Sequence, residues 1–115
     1  ALKLHYPSAI VQGFYGTILS RVAEMQQGST LPVSIHAVIV EGGIMIIVLR
    51  HGHLHFANVF RAAGNADKLY FILYVWKTLA LDAWHDSCVL YGADETLYED
   101  LCQYLAHVDM HQLSI

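Results

Sequence analysis

The chain has 115 residues, 56% of them hydrophobic and 14% charged, with six Lys and Arg against ten Asp and Glu for a formal charge of -4. That length holds one domain with a single core. No two basic residues stand side by side, so the phosphate-directed footprint of a nucleic-acid-binding protein is missing. No apolar run reaches the roughly 18 residues of a membrane span, the longest being Leu69 to Trp76.

From the N-terminus, Ala-Leu-Lys-Leu carries no initiator Met, basic n-region or cleavage-type segment, which reads as a fragment of a longer cytoplasmic protein rather than a secreted one. Ile10, Val11, Phe14, Ile18, Leu19, Val22, Ala23 and Met25 then recur at three- and four-residue steps between Ser8 and Gln27-Gly28, predicting an amphipathic helix over 8–27. After a Ser-Thr-Leu-Pro connector come three apolar runs rich in Val and Ile: Val33 to Val40, Ile44 to Arg50 and His53 to Phe60. Breaks at Glu41-Gly42-Gly43 and His51-Gly52 make them a three-stranded meander over 33–60, with His-Gly suited to a two-residue hairpin loop. A helix is predicted over 65–81, with Asn65 or Asp67 near its start and Lys77 near its end, as the helix dipole prefers. Its stripe Leu69, Leu73, Trp76 and Ala80 suffices to cover a sheet, yet Tyr70, Phe71, Ile72, Tyr74 and Val75 leave nearly the whole circumference apolar. Ser87 to Tyr91 reads as a strand ending at Gly92. Asp94 caps a last helix over 94–106 with Leu97, Leu101, Cys102 and Leu105 inward, and 108–110 has the length of a closing strand.

The order β-β-β-α-β-α with a closing β defines an α/β fold with a mixed sheet, because a helix of four or more turns followed by a strand is the length a crossover to a parallel neighbour needs. Preceded by the N-terminal helix, this is the topology of the ribonuclease H-like half-domain, repeated twice in actin-like ATPases, though a fold so widely shared fixes no function. The stretch from Val33 to Val108 resembles the C-terminal half of domain-of-unknown-function family 3822, an uncharacterised Bacteroidetes family held to be a divergent relative of the actin-like ATPases. The resemblance lies in Gly52-His53-Leu54-His55-Phe56-Ala57-Asn58-Val59-Phe60, in Asp67 to Trp76 with Leu79, in Val89-Leu90-Tyr91-Gly92, and in Leu97-Tyr98 with Leu101-Cys102-Gln103-Tyr104-Leu105. These are packing and turn signatures, without diagnostic chemistry.

The resemblance implies where to look for nucleotide chemistry. In active actin-like proteins the turn between the first two strands carries an Asp followed by small residues, so that amides and a metal-bound carboxylate embrace the phosphates. Here that position falls at Val38, Glu41 sits in the turn itself, and Gly42, Gly43 and, after the fourth strand, Gly92 remain as degenerate nucleotide-loop positions. Glycine pairs are also ordinary hairpin chemistry. Of the eight histidines, His53 and His55 alternate on one strand and are expected on one face, with His51 in the adjoining turn and His36 two strands away; His51, His53 and His55 are the candidate metal ligands, lacking a nearby Asp, Glu or Cys to complete a site. No Gly-x-Ser-x-Gly elbow is present, and Val33–Val40 and Ser87–Tyr91 have no interior Asp or Glu for a ribonuclease H-type metal centre. Cys88 and Cys102 are expected as buried free thiols.

Two readings follow. The favoured one is a non-catalytic interaction or scaffold protein on a degenerate actin-like fold, with no cofactor. The alternative is an ATP-binding or ATP-hydrolysing protein whose phosphate loop lies in a missing N-terminal half. A charged share so far below the usual quarter of residues, about 25%, predicts that apolar surface is covered by something outside this chain. The expected partner is the absent N-terminal half or a second copy, through helices 8–26 and 67–81.

Overall fold

The two most Val- and Ile-rich runs become strands buried along almost their whole length, as continuous rather than alternating apolar runs require. They are β1 (Val33–Val40) and β2 (Gly43–Arg50), paired antiparallel from Val33 opposite Arg50 to Val40 opposite Gly43. In this computed structural model residue 18, residues 20–22 and residues 33–111 are described. β3 (His53–Arg61) pairs antiparallel with β2, β4 (Ser87–Tyr91) parallel with β1, and β5 (His107–His111) parallel with β4. The sheet order is β3-β2-β1-β4-β5, with β2 alone running against the other four. Helix α1 (Asn65–Thr78) makes the crossover from β3 to β4, and α2 (Glu95–Cys102) joins β4 to β5.

The His51-Gly52 turn has both residues at positive φ, 53° and 80°, the conformation whose twist matches a two-residue hairpin. Gly43, expected in the first turn, belongs to β2 instead, leaving Glu41-Gly42 as the connection. α1 starts behind Gly64 and stops at Thr78, three residues short of the expected end. There Ala80 turns left-handed (φ 56°) and the Ala80 and Leu81 N–H groups donate to the Lys77 and Trp76 carbonyls, a helix stop built on an Ala where Gly is usual. α2 is likewise shorter than 94–106, ending at Cys102.

One face of the sheet packs under α1 and α2. Ile35, Ala37, Ile44, Ile46, Val48, Cys88 and Leu90 meet Ile72, Val75 and Trp76 of α1 and Leu97 and Leu101 of α2. The buried stripe of α1 is therefore rotated from the expected one: Ile72 replaces Leu69 and Leu73 at its centre, and these two are only partly covered. Each of the three α1 side chains contributes about 1.5–3 kcal/mol by leaving water, while the Trp76 Nε1–H finds no acceptor among the described residues. Cys102, placed inward on sequence grounds, is exposed because α2 turns Leu97 and Leu101 to the sheet.

The second face is covered in part by the described residues of the first predicted helix, which are helical. Ile18 and Val22, one turn apart, are buried with Val38, Met45, Ile47, Leu49, Ala57, Val89 and Tyr91. The rest of the predicted 8–27 helix lies outside the described residues. On α1, Tyr70 and Tyr74 remain exposed and stack on each other, with Phe71 packed between Tyr70 and Phe60.

Candidate functional site

The residues singled out for phosphate chemistry gather at the C-terminal ends of β1 and β4, which run parallel with Val38 opposite Tyr91. A Cβ on Gly92 would lie 3.8 Å from the Ile39 Cβ, so Gly92 does stand beside the end of β1. Each glycine nevertheless has a local reason. Gly42 has φ 73° in the hairpin, and its carbonyl accepts from the Ala62 N–H at 3.2 Å. Gly43 sits so close to β3 that a Cβ would collide with the Phe60 carbonyl oxygen. Gly92 has φ 76°, needed to leave β4 for α2, and its N–H donates to the His111 carbonyl at 3.4 Å. Val38, where the metal-bridging carboxylate would stand, is 4% exposed among Ile18, Val22 and Tyr91. An ionised side chain there would be buried without a partner, at a cost of several kcal/mol.

A polar network escaped the sequence reading. Ser34, His36 and Tyr91 lie on the second face of the sheet, where His36 is fully buried. Its Nε2 is 2.8 Å from the Ser34 Oγ and its Nδ1 2.9 Å from the Tyr91 hydroxyl, with the His36 and Tyr91 rings stacked at 5.8 Å and the His111 ring 6.1 Å from Tyr91. Burial, helped by His111, pushes His36 down to about 4, and burial pushes the Tyr91 phenol up to about 12. Both groups are thus neutral at pH 7, and the hydroxyls on either side each donate or accept as the imidazole tautomer requires. The only sequence signal was Ser34-x-His36 inside a strand that is otherwise apolar.

A Ser-His hydrogen bond of 2.8 Å invites comparison with an activated nucleophile. Two features argue against it. The third member is a neutral phenol, which lacks the negative charge that stabilises an imidazolium when the base takes its proton. Ser34 is also buried, 4% exposed, leaving no approach to its Oγ. The network instead satisfies three polar side chains in an apolar layer and joins β1 to β4.

The ladder is irregular at the histidine hairpin. The register of β2 and β3 slips between Val48 and Leu49, which pair with Phe56 and Leu54, so His55 is the extra residue of a bulge. That interrupts the strict alternation on which a shared face for His53 and His55 depended. Among the described residues no group of three or more His, Cys, Asp or Glu is placed to hold a metal ion, and no helix is long and apolar enough to cross a membrane. Cys88 and Cys102 are both free, and burial holds the Cys88 thiol well above its ordinary pKa.

The sheet order, the crossover helices and the position of the degenerate turn define an actin-like ATPase fold of the ribonuclease H-like class. A Bacteroides thetaiotaomicron protein of known crystal structure, described as having an actin-like ATPase fold and unknown function, superposes with a TM-score of 0.74 at 25% identity, over 82% of this chain and 37% of that one. The chain belongs to the family described as Protein of unknown function (DUF3822), which matches residues 1–108. It spans 37% of the length of that solved neighbour. No curated protein matches it.

Proposed function

We propose that this chain is a non-catalytic interaction module on a degenerate actin-like fold. The observation that carries this reading is Val38, an apolar side chain packed under Ile18 and Val22 at the position where phosphate chemistry needs a carboxylate. The turn glycines add support, since the hairpin geometry and the Phe60 carbonyl account for them without a phosphate. Titration calorimetry with ATP and Mg²⁺ tests it: the expected result is no binding tighter than about millimolar, an affinity worth about 4 kcal/mol. Micromolar binding overturns it.

A second reading keeps nucleotide binding at the level of a longer protein. It is favoured by the 37% coverage of the neighbour, which leaves most of a protein of that length to carry a phosphate loop elsewhere. A strand ending in Asp-x-Gly in the remainder would support it. On either reading the aromatic outer face of α1, with Tyr70 and Tyr74, is proposed to meet either that remainder or a second copy of the chain. The two free thiols support a reducing, cytoplasmic setting.

A further inference from the structure

The two edges of the sheet are built differently. β3 is guarded against an added strand. The Ala62 N–H bonds the Gly42 carbonyl, and counting back in twos along the ladder turns the backbone groups of Val59 away from β2; its outward N–H is already taken by the Asn58 side-chain oxygen at 2.9 Å. The bulge at His55 distorts the same edge. β5 has neither device. The His111 carbonyl accepts from the Gly92 N–H, so His111 and, by alternation, Asp109 and His107 direct their backbone groups to β4. Those of Val108 and Met110 face outward, and among the described residues no strand pairs with them. Met110 is 41% exposed.

Beside this edge runs a groove of about 360 Å³ between β5 and α2, lined by Glu95, Tyr98, Glu99, Val108, Asp109 and Met110. Tyr98, Val108 and Met110 give it an apolar floor, and the Glu95 and Glu99 carboxylates have no salt-bridge partner among the described residues. We propose that β5 and α2 dock an extended basic segment of a partner protein as a sixth strand, its outward-facing Lys or Arg stems lying over Tyr98 and Met110 with their heads at Glu95 and Glu99. Main-chain bonds to Val108 and Met110 supply the register, and the carboxylates select the side chains. A second copy fits poorly: antiparallel pairing of β5 with itself about its centre sets Asp109 against Asp109 and brings two acidic grooves together. This extends the interaction reading above, and its test is separate, because nucleotide affinity does not enter it.

The probe is a fluorescein-labelled, end-blocked octapeptide of alternating Lys and Val, with the Glu-Val octapeptide as control, read by anisotropy and by amide hydrogen exchange. The expected result is binding of the basic peptide at least tenfold tighter than the acidic one, with slowed exchange at the Val108 and Met110 amides. Paired Glu95→Lys and Glu99→Lys substitutions should weaken it at least tenfold. Met110→Pro, which removes one outward N–H and no bond to β4, should do the same, whereas Val59→Pro on the guarded edge should not. If Met110→Pro fails to fold, the exchange pattern of the unsubstituted chain decides. Basic-peptide binding that leaves Val108 and Met110 exchanging freely overturns the proposal in favour of diffuse charge attraction. Protection of those amides that rises with protein concentration, without peptide, assigns the edge to a second copy and overturns it too.

Discussion

His36 makes the stability of this fold depend on pH below neutrality. In the folded chain its pKa is about 4, against 6.5 for an unburied imidazole, because the ring is buried and His111 stands nearby. As pH falls, the unfolded chain therefore takes up this proton first. The contribution is fully present above about pH 7, is lost as pH falls through 6.5 toward 4, and levels off below that. A displacement of this size, at about 1.4 kcal/mol for each pH interval, amounts to about 3 kcal/mol at its limit and about 2 kcal/mol by pH 5. Against a total of about 5–15 kcal/mol for a small domain, that is large. His85, raised in pKa by its hydrogen bond to Asp82, acts with the opposite sign, but it is exposed and present in every variant compared. The assay is urea unfolding at pH 7.5 and pH 5 for the unsubstituted chain and for His36→Gln, whose amide keeps a donor and an acceptor for Ser34 and Tyr91. The unsubstituted chain should lose about 2 kcal/mol between the two conditions and the variant markedly less. Equal losses in both would show that His36 does not carry the dependence, whatever the absolute stability of the variant.

Gly43→Ala drives a Cβ into the Phe60 carbonyl, a backbone atom that cannot step aside, and should cost about 1–3 kcal/mol in urea unfolding. Ala80→Gly should move the other way, adding about 1 kcal/mol by relieving the left-handed conformation at the end of α1, read as a higher melting temperature. The Asp94 carboxylate accepts from the Leu97 N–H at 3.0 Å and from the Asn65 amide at 3.0 and 3.1 Å, so it caps α2 and ties it to the start of α1. Asp94→Ala should lower the melting temperature, and Asp94→Asn, which keeps a capping oxygen, should recover part of the loss.

Some of this molecule was legible one residue at a time. Largely apolar runs that end at or close to a glycine turn mark β1, β2 and β4, because a strand buried on both faces lacks a polar side, and His51-Gly52 marks its own turn through the conformations those residues tolerate. The Asp94 cap is equally local, a side chain bonding a backbone three residues on. The chain order of these elements then leaves few ways to lay a sheet, which is how the ribonuclease H-like topology followed from sequence. What tertiary structure alone decided are the features whose causes are distant in the chain. α1 is apolar almost all round, so its own pattern cannot say which side faces the sheet; the β1–β2 surface selects Ile72, Val75 and Trp76. The bulge at His55 arises from pairing with Val48 and Leu49, and nothing near His55 announces it. His36 and Tyr91 lie 55 residues apart and read separately as a stray histidine and a strand-end tyrosine. Only the parallel pairing of β1 with β4, under a cover that removes water, turns them into a hydrogen-bonded pair and lowers the imidazole pKa, because desolvation and partnership belong to the folded neighbourhood and not to either residue.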